Sequence, residues 1–271
     1  MEKRTMKLRM ATGLIAVFTL FLFVTVIPEE VHAASNKAFK LKVSFNGKES
    51  KTDKIWDQNT YSVQTDLKNT SKVNKKNTVS YRVLVPKKLL KKDNDELLFC
   101  MDLILLRDLD KKELIYKDVG ALYKTRWCKL SKSDGKVYLG IYNEVTDKDE
   151  GRVAADNKKV KKLGSRAAIE VKGDYYVITM KDTLRNKIYD FSTGKKKNPD
   201  TKKTYHLGPE FVVHGDCSKL SGYIYLDEFT VTTAKKQTVT FNNKKEYKAV
   251  AATHFGGKKW DKNGKIVSLP F

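Results

Sequence analysis

Cysteine and histidine are scarce in this chain of 271 residues, with three of the first and four of the second, and there are only five prolines. Cys100, Cys128 and Cys217 are an odd number, so at most one intramolecular disulfide forms. No C-x-x-C pair or paired His/Cys spacing occurs, which argues against a zinc site. Cys100 lies in the apolar run Leu97 to Leu106 and reads as a small buried hydrophobe. Beyond residue 33 histidine stands only at His206, His214 and His254, and no Ser/His/Asp order with a nucleophile-elbow glycine pattern accompanies it. A long basic block and an amphipathic basic helix are missing too. No nucleic-acid recognition motif accompanies the basic charge, which, with the export signal at the amino end, disfavours a nucleic-acid partner.

What the chain does have begins at its amino end. Lys3, Arg4, Lys7 and Arg9 precede an apolar run from Met10 to Ile27, which Pro28, two glutamates and the small-residue site Val31-His32-Ala33 close. Residues 1–33 read as a secretory signal peptide, removed from the mature protein. The alternative is an uncleaved anchor, since about 18 apolar residues just span a bilayer. Pro28 and the small-residue site favour cleavage, so an extracellular protein is expected, free or held non-covalently at the cell surface, without membrane insertion.

The first 33 residues hold four of the 54 basic and three of the 32 acidic residues, which leaves a mature net charge of +21. Most of it is lysine in pairs and short runs, such as Lys91-Lys92, Lys158-Lys159 and Lys195 to Lys197. Such charge has two readings. One is a solvated surface that keeps the protein soluble. The other is long-range attraction to polyanions such as acidic polysaccharide, wall polymer or anionic lipid.

Period-two apolar runs dominate the mature sequence. Phe39 to Phe45 alternates strictly and ends at the turn dipeptide Asn46-Gly47. Tyr61 to Leu67 alternates again, and Thr78 to Val85 places Val79, Tyr81, Val83 and Val85 on one face. Further runs occur at Val137 to Val145, Ile169 to Val171, Tyr175 to Met180, Phe211 to Val213, Tyr223 to Thr232 and Gln237 to Phe241. Asp134-Gly135 and Gly173-Asp174 supply turn signals between neighbours. An all-β antiparallel sandwich or barrel follows. Helix candidates are few and short, Lys87 to Leu98 and Asp110 to Lys117, while Leu97 to Leu106 reads better as a buried strand. The polar stretches Asp147 to Gly164 and Ser192 to Lys203 read as long loops. Residues 34–233 make the main domain. Residues 234–271 form a lysine-rich appendage that adds edge strands to it or packs loosely.

Two segments carry a family resemblance: Val79-Ser80-Tyr81-Arg82-Val83-Leu84-Val85-Pro86-Lys87-Lys88-Leu89-Leu90, and Leu220-Ser221-Gly222-Tyr223-Ile224-Tyr225-Leu226-Asp227-Glu228-Phe229-Thr230-Val231. Together they resemble the β-jelly-roll carbohydrate-binding modules attached to mannanases and related plant-wall enzymes, over about 200 residues of the chain. The resemblance implies a two-sheet antiparallel jelly roll and polysaccharide as the partner. It also implies a structural calcium, held in many such modules by a late-strand aspartate and an acid in the first strand. Asp227 matches the late position, but Asn46 stands where the first-strand acid is expected, with Glu49 three residues on. Calcium takes several oxygen ligands. The competing role for Asp227 is a hydrogen bond to a nearby loop.

Sugar sites on such scaffolds cover pyranose faces with aromatic rings and grip hydroxyls with polar groups. Trp56 and Trp260 each sit among strongly polar neighbours, Trp127 follows Thr125-Arg126, and Tyr142 precedes Asn143-Glu144. These four are the candidate ligand-binding residues, each with ordinary packing as its competing role. No catalytic residues stand out. Paired carboxylates for glycoside hydrolysis need defined separations, and Asp227 and Glu228, neighbours on a strand, are expected on opposite faces. A secreted, non-catalytic polysaccharide-binding protein is the leading expectation. A jelly-roll lyase acting on acidic glycans and a cell-surface adhesin are the alternatives.

Overall fold

The computed structural model describes residues 38–47, 60–64, 67–74, 76–106, 119–190, 195–198, 202, 204–215, 219–239 and 250–251. The signal segment, the helix candidate at 110–117, Trp56 and Trp260 lie outside them. All the described residues belong to one unit spanning Ala34–Phe271.

The alternating runs form strands in two antiparallel sheets. The first sheet holds β1 (Phe39–Ser44), β4 (Thr78–Pro86), β10 (Lys161–Leu163), β11 (Ala167–Lys172), β12 (Tyr175–Thr183), β16 (Ser221–Thr232) and β17 (Lys236–Val239). The second holds β2 (Thr60–Gln64), β3 (Leu67–Lys72), β5 (Glu96–Leu106), β6 (Val119–Leu122), β7 (Arg126–Ser133), β8 (Lys136–Asn143), β9 (Lys148–Ala154), β13 (Ile188–Asp190), β14 (Lys195–Lys197), β15 (Thr204–His214) and β18 (Val250–Ala251).

Their order is that of a jelly roll. The first sheet runs β1-β16-β4-β12. The second places β15 between β5 and the pair β2 and β3, with β6 and β7 sharing the far edge of β5. Early strands therefore pair with late ones: Phe39 faces Leu226, and Val213 faces both Tyr61 and Phe99. This is a long antiparallel ribbon folded over itself, the double Greek key of the class.

The core lies between the sheets. On β4, Val79, Tyr81, Val83 and Val85 point inward and are buried, as their alternation requires. Phe229 of the first sheet meets Phe211 of the second with ring centres 5.7 Å apart, and Tyr81 meets Phe211 at 5.8 Å. The Tyr81 hydroxyl donates to the Phe99 carbonyl, which satisfies its polar tip inside the core. Asp134 and Gly135 both take positive φ, 50° and 70°, the geometry of a two-residue hairpin turn joining β7 to β8.

Three expectations change. The candidate helix at Lys87 to Leu98 is a short 3-10 turn, Lys87–Leu89, followed by β5. Its first turn has no acid and two lysines, and Asp95 accepts from the Lys91 and Lys92 amides to build a turn with Asn94 at φ 74°. The expected loop at 147–164 contains β9 and β10. Lys195–Lys197, expected in a loop, is an edge strand. No residue of β9 is fully buried and β14 is exposed throughout, so no apolar alternation marks them. Lysine along β10, β14 and β17 discourages pairing with other chains, which accounts for part of the charge.

Candidate functional site

The outer face of the first sheet combines exposed rings with charge. Alternation on β16 turns Ile224 and Leu226 into the core and Tyr223, Tyr225 and Asp227 outward. Register sets Leu84 of β4 and Val177 of β12 beside Tyr225, while Tyr175 pairs with Pro86 one row along. Tyr175 and Tyr225 meet edge to face at 5.7 Å. Tyr223 is 39% exposed and carries the Lys40 ammonium 4.2 Å above its ring. Three partly exposed tyrosines thus stand over an apolar floor. Burial and the adjoining Tyr225 hold the Tyr175 hydroxyl above its ordinary range.

Next to the rings the strand breaks its own alternation. Between Asp227 and Thr230 the pairing of β16 with β4 slips by one residue, and Glu228 takes φ 54°. This bulge brings two consecutive carboxylates onto one guanidinium: Arg82 Nη2 lies 2.6 Å from Asp227 Oδ2 and 2.7 Å from Glu228 Oε1. Asp227 and Glu228 were expected on opposite faces, and the extra residue is why they are not. The carboxylate that the resemblance offers to calcium is held by Arg82 through two donors, Nε at 3.0 Å and Nη2. Among the described residues no group of three or more His, Cys, Asp or Glu is placed to hold a metal ion.

Below the bulge the same face opens into a cleft of about 400 Å³. Short side chains, Ser80, Ala168, Thr179 and Thr230, lie among its lining, and Arg82, Lys162, Arg166, Lys181 and Glu228 bring charge to it. Arg166 is fixed from behind. Its carbonyl accepts from the Lys181 amide at 2.7 Å, and its Nη1 reaches Glu150 Oε2 at 3.0 Å. Glu150 also accepts from Arg126 at 2.7 and 3.0 Å and from Asn143 at 2.6 Å. Arg126 continues the chain of contacts to Asp182 at 3.4 Å, linking β7 and β9 to β12.

The Arg126 hydrogen bonds lower the Glu150 carboxyl to about 2. A carboxyl depressed in the fold contributes stability that is full above its unfolded value of about 4.3 and vanishes as the pH falls through the folded one. Glu150→Gln should therefore cost about 2 kcal/mol at neutral pH, allowing for solvent screening. Urea unfolding at a series of pH values should show parent and variant converging between pH 4 and 2. A gap that stays constant across that window would remove Glu150 as its source.

The residues singled out in the sequence fall elsewhere. Trp127 is only 6% exposed and packs with Cys100 and Val212 on the outer side of the second sheet, so it is no exposed platform. Its bulk fills that cluster. Tyr142 pairs across strands with Trp127, packs half-buried against the same cluster, and donates to Asp147 at 2.5 Å. Its neighbour Ile141 is core. Tyr175 and Tyr223 escaped notice, yet Tyr223-x-Tyr225-x-Asp227 is itself a period-two signal for one outward row.

The second sheet also buries charge. Asp102 and Glu210 stand opposite one another on β5 and β15, both buried. The Lys124 amide donates to Asp102 Oδ1 at 2.6 Å, and its Nζ lies 3.6 Å from Oδ2 and 4.3 Å above the Trp127 ring. Burial opposes the Lys124 charge, but Asp102 outweighs it, and the ammonium is held above the ordinary lysine range. The Cys100 and Cys128 thiols are buried and pushed up by that burial, away from thiolate reactivity.

No family model matches the chain, and no curated protein matches its sequence. Among solved structures it is similar to the fructofuranosidase from Schwanniomyces occidentalis complexed with fructose, at 12% identity, over 70% of this chain and 33% of that one, with a TM-score of 0.23. The chain spans about a third of that enzyme's length.

Proposed function

We propose that this protein is exported and binds polysaccharide without cleaving it, using the outer face of the first jelly-roll sheet. The observation that supports this most is the row of Tyr223, Tyr225 and Tyr175 beside the bulged Asp227-Glu228-Arg82 cluster. Rings standing on a flat strand face cover the apolar side of a pyranose, and the neighbouring charged groups reach its hydroxyls. Trp56 and Trp260, outside the described residues, are proposed from their polar sequence context alone as further sugar-binding rings.

The energetic weight falls on the rings. Stacking that removes roughly 60 Å² of apolar surface contributes about 1.5 kcal/mol at about 25 cal/mol per Å². An exposed ion pair contributes less. Tyr225→Ala should therefore lower polysaccharide affinity about tenfold. The same change should leave the melting temperature nearly unmoved, because the side chain lies outside the core. Isothermal titration of the mature chain with neutral and acidic polysaccharides, alongside calorimetry of each variant, reads both quantities. Undiminished binding by a Tyr175→Ala/Tyr223→Ala/Tyr225→Ala variant would overturn the platform.

A further inference from the structure

The cleft beside the tyrosine row has an uneven charge arrangement. Of its four cations, Arg82 is taken up by Asp227 and Glu228, and Arg166 by Glu150. Lys162 and Lys181 have no carboxylate within ion-pair distance among the described residues, and both are exposed. The register explains how they come together. Lys181 follows Thr179 on the outward face of β12 and is opposite Ser80. Lys162 lies on β10, two residues before the turn that carries Gly164 at φ 60° and Ser165. Between them the wall is low, because Ala168 and Thr179, which face each other across β11 and β12, are short.

Two unneutralised ammonium groups, the hydroxyls of Ser80, Ser165 and Thr179, and a paired arginine at the back suit a group with several acceptor oxygens and a negative charge. Among the described residues Glu228 is the single carboxylate lining the cleft. It belongs to the Arg82 cluster, so repulsion of an incoming anion is strongest there and weakest at the β10 and β12 corner. A neutral sugar would leave both lysines without a counter-charge.

We propose that this corner, centred on Lys162 and Lys181, binds an oxyanion carried by the polymer that lies on the tyrosine row. The partner is thus an acidic polysaccharide whose charged substituent, a uronate carboxylate or a backbone phosphate, enters the cleft. This rests on the platform reading and adds to it the charge class of the ligand. It also divides the lysines by role: those of β14 and β17 guard sheet edges, whereas Lys181, and Lys162 in addition to its place on the edge strand β10, recognise ligand.

The test compares binding of polygalacturonate, poly(glycerol phosphate) and a neutral mannan to four forms of the mature chain. These are the parent, Lys162→Gln/Lys181→Gln, Tyr225→Ala, and Lys91→Gln/Lys92→Gln, which removes two exposed lysines in the turn between β4 and β5. The parent should prefer one of the two anionic polymers over mannan by about fivefold to tenfold, what two exposed charge contacts supply together. Whichever it prefers identifies the oxyanion. In the Lys162/Lys181 variant that preference should vanish, its salt dependence should become shallower, and mannan binding should persist. A preference that survives that variant, or falls equally in the Lys91/Lys92 variant, overturns the oxyanion site. If Tyr225→Ala still lowers binding about tenfold in that case, the platform stands alone. If anionic binding needs the lysines but not Tyr225, the cleft stands and the platform falls.

Discussion

Lys124→Met should destabilise the protein by about 3–5 kcal/mol, the usual cost of removing one partner from a buried ion pair. Lys124 is 4% exposed and Asp102 fully buried, so the methionine takes the ion-pair partner from a carboxylate in a medium that solvates it poorly, leaving only the more distant Arg185 charge. Glu144, whose Oε2 lies 3.9 Å from the same ammonium, would keep only Arg185, 3.4 Å from its other oxygen. The pair itself is worth far less than its disruption costs. Replacing both members, as Asp102→Leu with Lys124→Met, should recover most of the loss, since an apolar pair of similar volume removes the desolvation penalty altogether. Guanidinium unfolding of the three variants in a double-mutant cycle measures this directly. A loss below about 1 kcal/mol for Lys124→Met would mean that water reaches Asp102 and that the pair is not buried in solution.

Trp127→Ala should cost about 3–5 kcal/mol as well, by a different mechanism. The indole packs against Cys100 and Val212 and lies under the Lys124 ammonium. Its removal leaves a cavity that those small side chains are too short to fill, and it takes away the cation–π contact. Trp127→Phe should retain more than half of the lost stability because it keeps an aromatic ring in the same space. Neither change should alter polysaccharide affinity per folded molecule, since Trp127 lies on the second sheet and the tyrosine row on the first. A Trp127→Ala protein with unchanged melting temperature and reduced glycan affinity would return this residue to the platform role that its polar neighbours suggested.

The contrast between Trp127 and Tyr225 shows where the sequence was readable. On β4, strict alternation named Val79, Tyr81, Val83 and Val85 as core, and all four are buried. Leu97 to Leu106, ambiguous in period, resolved as a strand on its length and β-rich neighbours, and β5 spans it. Asp134-Gly135 announced its hairpin because few other residues accept positive φ twice in succession. These are local matters, decided by sterics and by the contrast between a wet and a dry face. Trp127, left open in the sequence between platform and packing, is buried although Thr125 and Arg126 before it are polar. On a strand those neighbours point the other way, so their polarity says nothing about the face the indole occupies.

What the amino-acid sequence determined by itself is the strand content, the inward row of each buried strand, and the preponderance of lysine. Only the tertiary structure decided which strands pair, because Phe39 meets Leu226 across nearly the whole chain and nothing local records that partner. It also decided that the exposed strands β9, β10 and β14 exist, since strands with no fully buried residue carry no apolar alternation to read. The site belongs to the same class of facts. One extra residue at Glu228 turned two neighbouring acids onto Arg82, and the meeting of β10, β11, β12 and β4 gathered Lys162, Lys181 and Ser80 from positions 101 residues apart at the widest (181 − 80). Side-chain alternation is a property of one strand, whereas charge concentrated in a cleft is a property of the register among several.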